Sequence, residues 1–241
     1  MNTLLIRLAG PLQSWGVDSK FERRVTDNVP TKSALIGLIA SALGRRRNEC
    51  VADLHELRFG IRVDHEGTLL RDFHTAKSKK EKSAYVTERY YLSDALFLAG
   101  FEGNPETLNR IEYALQKPAY PLFLGRRSCP PAGKVLLGIR ESKTLLEALQ
   151  EEPWLLSEWR QAREDVQVNL RIILEDEPGG NNQNSYYRRD LPLSFDQNHR
   201  KYGFSSVSEI EPMAVNNPKS RRRSALNYSE HDPMSELRME E

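Results

Sequence analysis

The chain reads as an α+β protein whose first 142 residues follow the ferredoxin-like order β-α-β-β-α-β, ahead of a smaller β-rich region. Three observations carry that reading. A strand-like run, residues 3–8, precedes a strongly apolar helix; residues 59–73 alternate apolar and polar side chains; and a second helix, opened by Pro105 and closed by Pro118, precedes a final apolar run at 135–139.

Each element has a local cause. Pro30 breaks the chain, and Thr31 or Ser33 offers an oxygen as helix N-cap. Leu35, Ile36, Leu38, Ile39, Ala42 and Leu43 then recur at helical spacing until Gly44. Residues 51–57 suggest a short helical turn. Residues 59–64 alternate as a strand, Glu66-Gly67 supplies a turn, and residues 68–73 are expected to return as its hairpin partner. Residues 94–101 form the next strand candidate, and Leu108, Ile111, Ala114 and Leu115 mark the buried stripe of the second helix. Residues 144–150 read as helix and 166–172 as a cleanly alternating strand. A polar loop follows at 178–184, and residues 195–207 read as short strands and turns. The divisions expected are 1–142, 143–218 and a polar tail at 219–241.

A chain of 241 residues is long enough for one sizeable core or two small ones. Its formal charge of +1 would not suggest nucleic acid, but the distribution does. Residues 1–47 carry eight Lys/Arg against three acids, residues 117–134 carry four bases and no acid, and residues 141–165 carry seven acids against three bases. Cys50 and Cys129 form no CxxC or metal-like cluster, which fits a reducing cytoplasm. The longest apolar stretch, residues 34–43, is too short to span a bilayer, so no membrane association is expected.

Several stretches could carry chemistry. Leu8-Ala9-Gly10-Pro11-Leu12-Gln13-Ser14-Trp15-Gly16 places an amide, a hydroxyl and an indole between glycines. Such a loop is either a turn with Trp15 in the core or a wall against a ligand. Lys32-Ser33 lacks the glycines of a nucleotide-triphosphate loop. Arg45, Arg46 and Arg47 follow a helix C-terminus, where they either complement the dipole or meet RNA. Leu124-Gly125-Arg126-Arg127-Ser128-Cys129-Pro130-Pro131-Ala132-Gly133 frames two arginines and a hydroxyl with glycines, as an anion cradle would. Residues 76–93 run from lysines (Lys77, Lys79) to Arg89 and Tyr90, either a solvated loop leading to an edge strand or a single-strand binding element.

The ordered run of LAGPLQSWG, Phe21, Arg23/Arg24 and 30–38 resembles the amino terminus of family-five Cas proteins of the type I-E CRISPR Cascade complex. Leu70-Arg71-Asp72-Phe73-His74-Thr75 and Leu124–Pro130 continue the resemblance over about the first 130 residues. It implies an RRM-like domain of the RAMP superfamily with a thumb-like extension at 76–93 lying across the guide, although the RNP1 aromatic signature is absent. The implied role is a non-catalytic subunit holding the 5′ handle of a CRISPR RNA, beside the backbone and large subunits of Cascade. Contact with target DNA would be indirect, and no cofactor or metal is implied. The implied RNA contacts are Gln13, Ser14, Trp15, Lys32, Ser33, Arg45, Arg46, His74, Lys77, Lys79, Arg89, Tyr90, Arg126, Arg127 and Ser128. The alternative is a metal-independent endoribonuclease that processes precursor RNA, as type I-C relatives do with an early tyrosine beside a lysine and a histidine. Here no tyrosine precedes Tyr85, and His74 with Lys77 or Lys79 is the one respectable acid–base pair. His74 is therefore read as structural or RNA-contacting.

Overall fold

The computed structural model describes residues 1–16, 23–77, 84–177 and 184–222. Its elements are β1 (Asn2–Ala9), β2 (Leu12–Gln13), β3 (Arg23–Arg24), α1 (Lys32–Ala42), α2 (Ala52–His55), β4 (Arg58–His65), β5 (Thr68–Ala76) and β6 (Tyr85–Ser93). After them come β7 (Leu96–Gly103), α3 (Pro105–Gln116), β8 (Leu136–Arg140), α4 (Leu145–Glu151), α5 (Glu158–Gln161), β9 (Gln167–Glu175), β10 (Ser185–Ser194) and β11 (Lys201–Asn216). The result is a mixed α/β protein dominated by antiparallel strand pairs. Seven strands form one sheet in the order β10-β11-β9-β4-β7-β1-β8, and β2, β3, β5 and β6 form a second.

Period-2 alternation decides what each face of the large sheet buries. Leu4, Ile6 and Leu8 of β1 join Phe59, Ile61, Phe97 and Phe101 under Leu35, Ile36 and Ile39 of α1 and Leu108 and Ile111 of α3. Leu5 points the other way, to Leu98, Ile172, Leu174 and the α4 residues Leu145 and Leu149. Two glycines set how closely α4 approaches that second face. Gly60 and Gly100 are register partners; a Cβ on Gly100 would stand 2.7 Å from a Leu145 methyl, and one on Gly60 3.0 Å from a Leu149 methyl. The helices begin where the sequence supplies acceptors. Thr31 caps α1, Asn104 with Pro105 caps α3, and Thr144 with Glu147 makes a capping box on α4.

The expected hairpin between residues 59–64 and 68–73 does not form. β4 pairs with β7 and β9, while β5 pairs along its whole length with β6, from Thr68↔Ser93 to Ala76↔Tyr85. The reason lies in the side chains. β4 is buried nearly throughout and needs a neighbour on each edge inside the large sheet, whereas β5 is exposed at eight of its nine positions. The extended element therefore begins at Thr68, earlier than the 76–93 stretch read from the sequence. Residues 201–216 are also one long strand where short strands and turns were expected.

The boundary expected at residue 142 is not where the compact units divide. One unit comprises 1–155 with 170–213; the other, among described residues, comprises 156–169 with 214–222. Within the second unit, Asn217 Nδ2 donates to the Gln161 and Asp165 carbonyls at 2.7 and 3.0 Å. No helix among the described residues is long and apolar enough to cross a membrane.

Arg62 ties β4 to α4 beneath the surface. Its guanidinium meets both Asp64 oxygens at 2.7 and 3.0 Å and donates to the Leu149, Glu152 and Pro153 carbonyls at 2.5–2.9 Å. Arg62→Met would leave a carboxylate and three carbonyls buried without that donor, so we expect a loss of about 3–5 kcal/mol in urea unfolding. A loss below about 1 kcal/mol would show that the pair is not a structural tie.

Candidate nucleic-acid interface

The candidate interface begins where β1 ends. The chain turns through Gly10 and Pro11 and lays β2 against β6, pairing Leu12 with Ser93 and Gln13 with Leu92. Gln13 Nε2 donates to the Leu8 and Ala95 carbonyls at 3.2 and 2.6 Å, and Ser14 Oγ donates to the Tyr90 carbonyl at 3.2 Å. Trp15 is wholly buried and exchanges backbone contacts with the next segment. Its N–H meets Thr26 Oγ1 at 2.8 Å, and its carbonyl accepts from Asp27 N at 2.7 Å. Of the two readings open for this loop, the buried one is what forms. Gln13, Ser14 and Trp15 are buried in the wall that fixes β6.

The 124–133 stretch packs directly on that wall. Ser14 N donates to the Leu124 carbonyl at 3.1 Å, and Ala132 N to the Ala9 carbonyl at 2.7 Å. Gly125 has φ +82°, and a Cβ there would overlap the Ser14 carbonyl; a Cβ on Gly10 would stand 2.9 Å from the Pro130 oxygen. Both glycines are thus required by backbone-to-backbone approach. The loop holds Arg127 and Ser128 exposed and Cys129 buried, with burial pushing the Cys129 thiol up and away from the reactive thiolate.

Arg126 lies half-buried across this junction. Its guanidinium stacks 4.8 Å from the Tyr91 ring centroid and donates to the Arg24 carbonyl at 2.7 Å. β3 pairs parallel with β6, Arg23 beside Glu88 and Arg24 beside Arg89. Glu88 gathers Arg71, Arg23 at 3.4 Å and the Tyr90 hydroxyl at 3.3 Å. Desolvation works against its charge, yet the Arg71 hydrogen bond and charge, then Tyr90 and Arg23, hold its carboxyl below the ordinary range. Among the described residues, the buried side-chain polar atoms without a partner are the Ser185 hydroxyl and four atoms of this junction: Gln13 Oε1, Trp15 Nε1, Arg89 Nε and Arg126 Nη1. Native folds leave few such groups, so their concentration here singles the junction out.

Other residues expected at the interface lie elsewhere. Lys32 is 2 % exposed, its ammonium 2.7 Å from Glu175 and 2.9 Å from the His55 carbonyl, so it is corrected from a phosphate contact to a core ion pair. Ser33 sits beside the Thr31 cap at 3.3 Å. Arg45 is clamped on both Asp53 oxygens at 2.6 and 2.5 Å, and with Arg110 holds that carboxyl below its ordinary range. Arg46 stays exposed at the end of α1. His74 and Lys77 are exposed on the β5–β6 ribbon, His74 Nε2 lying 2.7 Å from Asp72; Lys79 falls outside the described residues. The contributors that the residue-by-residue reading missed are Arg24, Arg71, Glu88 and Tyr91. The Arg23/Arg24 doublet was the available signal. Glu88 and Tyr91 gave none, because only the pairing of β5, β3 and β6 brings them together.

The chain is similar to known proteins in sequence and in fold. The family model described as "CRISPR-associated protein (Cas_Cas5)" matches residues 3–208, and the chain belongs to that family. It is 33% identical over 167 residues to the CRISPR system Cascade subunit CasD of Escherichia coli (strain K12), covering 61% of this chain and 75% of that one. A crystal structure of a Cas protein superposes with TM-score 0.68 at 38% identity, covering 90% of this chain and 97% of the other. A chain of a CRISPR RNA-guided surveillance complex superposes with TM-score 0.74 at 30% identity, covering 92% and 95%.

Gly125→Ala tests whether the two loops are held by contact of their backbones. The substitution adds a methyl at positive φ against the Ser14 carbonyl, and we expect it to destabilise the protein by at least about 2 kcal/mol in thermal or urea unfolding. Gly16→Ala, at the exposed end of the 9–16 loop, serves as the control. Equal stability of the two variants would rule out the contact.

Proposed function

We propose that this chain is a non-catalytic subunit that binds a CRISPR RNA and holds its 5′ handle at one end of a Cascade-type assembly. The observation that carries the reading is the junction of the 9–16 loop, the 124–133 loop and β6. There Arg24, Arg71, Arg126, Arg127 and Tyr90 stand together around β6, in a chain of the Cas5 family. In this reading the large sheet contains a ferredoxin-like RAMP domain. Its support is the order β4-β7-β1-β8, with α1 joining β1 to β4 and α3 joining β7 to β8. The β5–β6 ribbon is the thumb, and its exposed Leu69, Phe73, Tyr85 and Val86 suit contact with RNA bases and a neighbouring backbone subunit. The large subunit would adjoin the same end, with target DNA engaged only through it.

Cutting is not part of this role. Metal-free RNA cleavage needs a base at the 2′-hydroxyl and an acid or cation at the leaving oxygen, in one geometry. His74 is exposed on a ribbon and engaged by Asp72. Purified protein incubated with its own repeat RNA in EDTA is therefore expected to leave it intact. Site-specific cleavage lost in His74→Ala would overturn the assignment.

Binding should instead be electrostatic. Arg127 is exposed, so Arg127→Ala should make the log–log salt dependence of RNA binding shallower by about 0.7, the share of one single-strand phosphate. Arg126→Ala should lower affinity and loosen the junction together, because Arg126 also holds Tyr91 and Arg24. An unchanged slope in Arg127→Ala would remove the glycine-framed loop from the RNA path.

A further inference from the structure

A second concave site lies next to this junction, reached through Asp27, whose backbone bridges Trp15. It is a cleft of about 390 Å³ lined by Asp27, Asn28, Val29, Arg171, Ile173 and Tyr186, with Arg188 and Asp190 at its base. That volume falls at the small end of the ~300–1,000 Å³ typical of ligand pockets. The cleft has an aliphatic floor in Val29 and Ile173, and an aromatic side chain, Tyr186, that keeps 43% exposure.

The electrostatics select the ligand. Arg188 is held by Asp27 at 2.7 Å and faces Asp190 at 3.9 Å. Arg171 is held by Glu209 at 2.6 Å and Glu66 at 2.7 Å. Arg171 and Arg188 are thus already matched by carboxylates and do not draw a phosphate into the cleft, while Arg189, which also lines it, is exposed where the phosphate of a bound nucleotide can meet it. A flat, neutral, polar group fits instead. Tyr186 offers a ring face, and Asn28 offers an exposed amide carrying both a donor and an acceptor. Asp27 accepts from Asn28 N at 2.7 Å and from Arg188, and still has lone pairs toward the opening. Burial, more than the nearby Glu209 and Asp27 charges, pushes the Tyr186 phenol up, so it remains a neutral donor.

We propose that this cleft takes one unstacked base of the bound RNA, its face on Tyr186 and its edge at Asn28 and Asp27, favouring a base with an exocyclic amino group. The inference rests on the RNA-binding reading and adds a base-selective site to it. The selectivity follows from the acceptors. A carboxylate or amide oxygen takes a hydrogen bond from the amino group of adenine or cytosine, whereas uracil presents a carbonyl oxygen there. A partner protein's side chain is the competing occupant. The cleft's size, one side-chain depth, admits it, but its continuity with the Trp15 loop favours the RNA.

The test is an abasic scan of the protein's own repeat RNA, with affinity measured for the full chain, Tyr186→Ala, Tyr186→Phe and Asn28→Ala. Tyr186→Ala should weaken intact RNA about tenfold, within the range of one lost base–aromatic stack. Tyr186→Phe should stay within about twofold of the parent. At a single position, an abasic nucleotide should weaken the parent equally while Tyr186→Ala adds no further loss. Replacing the amino-bearing base there by uracil should weaken the parent, and should weaken Asn28→Ala less, because only the Asp27 acceptor then remains; Asn28→Ala is an exposed change that leaves the packing alone. The proposal is overturned if Tyr186→Ala and Asn28→Ala both bind as the parent does, or if their losses are the same at every abasic position. Unchanged RNA affinity with loss of co-purifying subunits would make the cleft a protein contact and overturn it too. If the parent binds no RNA at low salt, the RNA-binding reading itself fails; normal parent binding with a flat scan overturns the cleft alone.

Discussion

The contact on which the site depends is one between backbones. Ser14 and Gly125 approach so closely that no side chain can stand between them, and the same holds for Gly10 against Pro130. Two segments more than a hundred residues apart are thereby fixed without using any side chain to do so. Arg126, Arg127 and Ser128 remain available for other contacts, and Arg126 uses that freedom to reach Tyr91 and the Arg24 carbonyl. A contact through long side chains would fix the loops less firmly, because each would lose rotamer entropy on ordering.

Charge in this protein divides into a structural and an exposed set, and burial makes the division. Lys32 and Arg62 are core residues, each matched by a carboxylate and by backbone carbonyls. Removing either partner alone would strand the other in low dielectric. Arg23, Arg24, Arg71 and Arg127 are exposed and gather around β6 and the glycine-framed loop. A formal charge of +1 for the whole chain therefore hides a local excess, since acids elsewhere, seven of them within residues 141–165, offset it.

The helices were legible in the sequence because their signals are local. Thr31, Asn104 and the Thr144–Glu147 box sit where caps must, and Gly44 with φ +77° ends the first helix. The strands themselves were also visible, but their partners were not. Glu66-Gly67 marks a reversal of the chain, and nothing local tells that the strand after it leaves the sheet for β6. Only the demand of a fully buried β4 for two neighbours decides that. The site was legible in part for the same reason. Gly125 and Arg126 stand out as a motif, whereas Glu88 and Tyr91 acquire a role only through registers set by β3 and β5. Trp15 and Lys32 show the other limit of a local reading. An indole and an ammonium look ready for a ligand in sequence, and both are buried by elements far along the chain.

The carboxylates among the exposed cations have a physical consequence. Glu88 holds Arg71 and Arg23 with Tyr90 in one network, so these side chains are ordered before any ligand arrives. A long cation immobilised on binding typically costs about 0.5–1.5 kcal/mol, and one already held in place gives up less. The same carboxylate opposes a phosphate nearby, which limits non-specific attraction to any polyanion. Ordered cations beside a fixed negative charge reward only a strand whose phosphates avoid Glu88 while reaching the arginines. Shape then selects among polyanions where net charge could not, which suits a protein whose overall charge is close to zero.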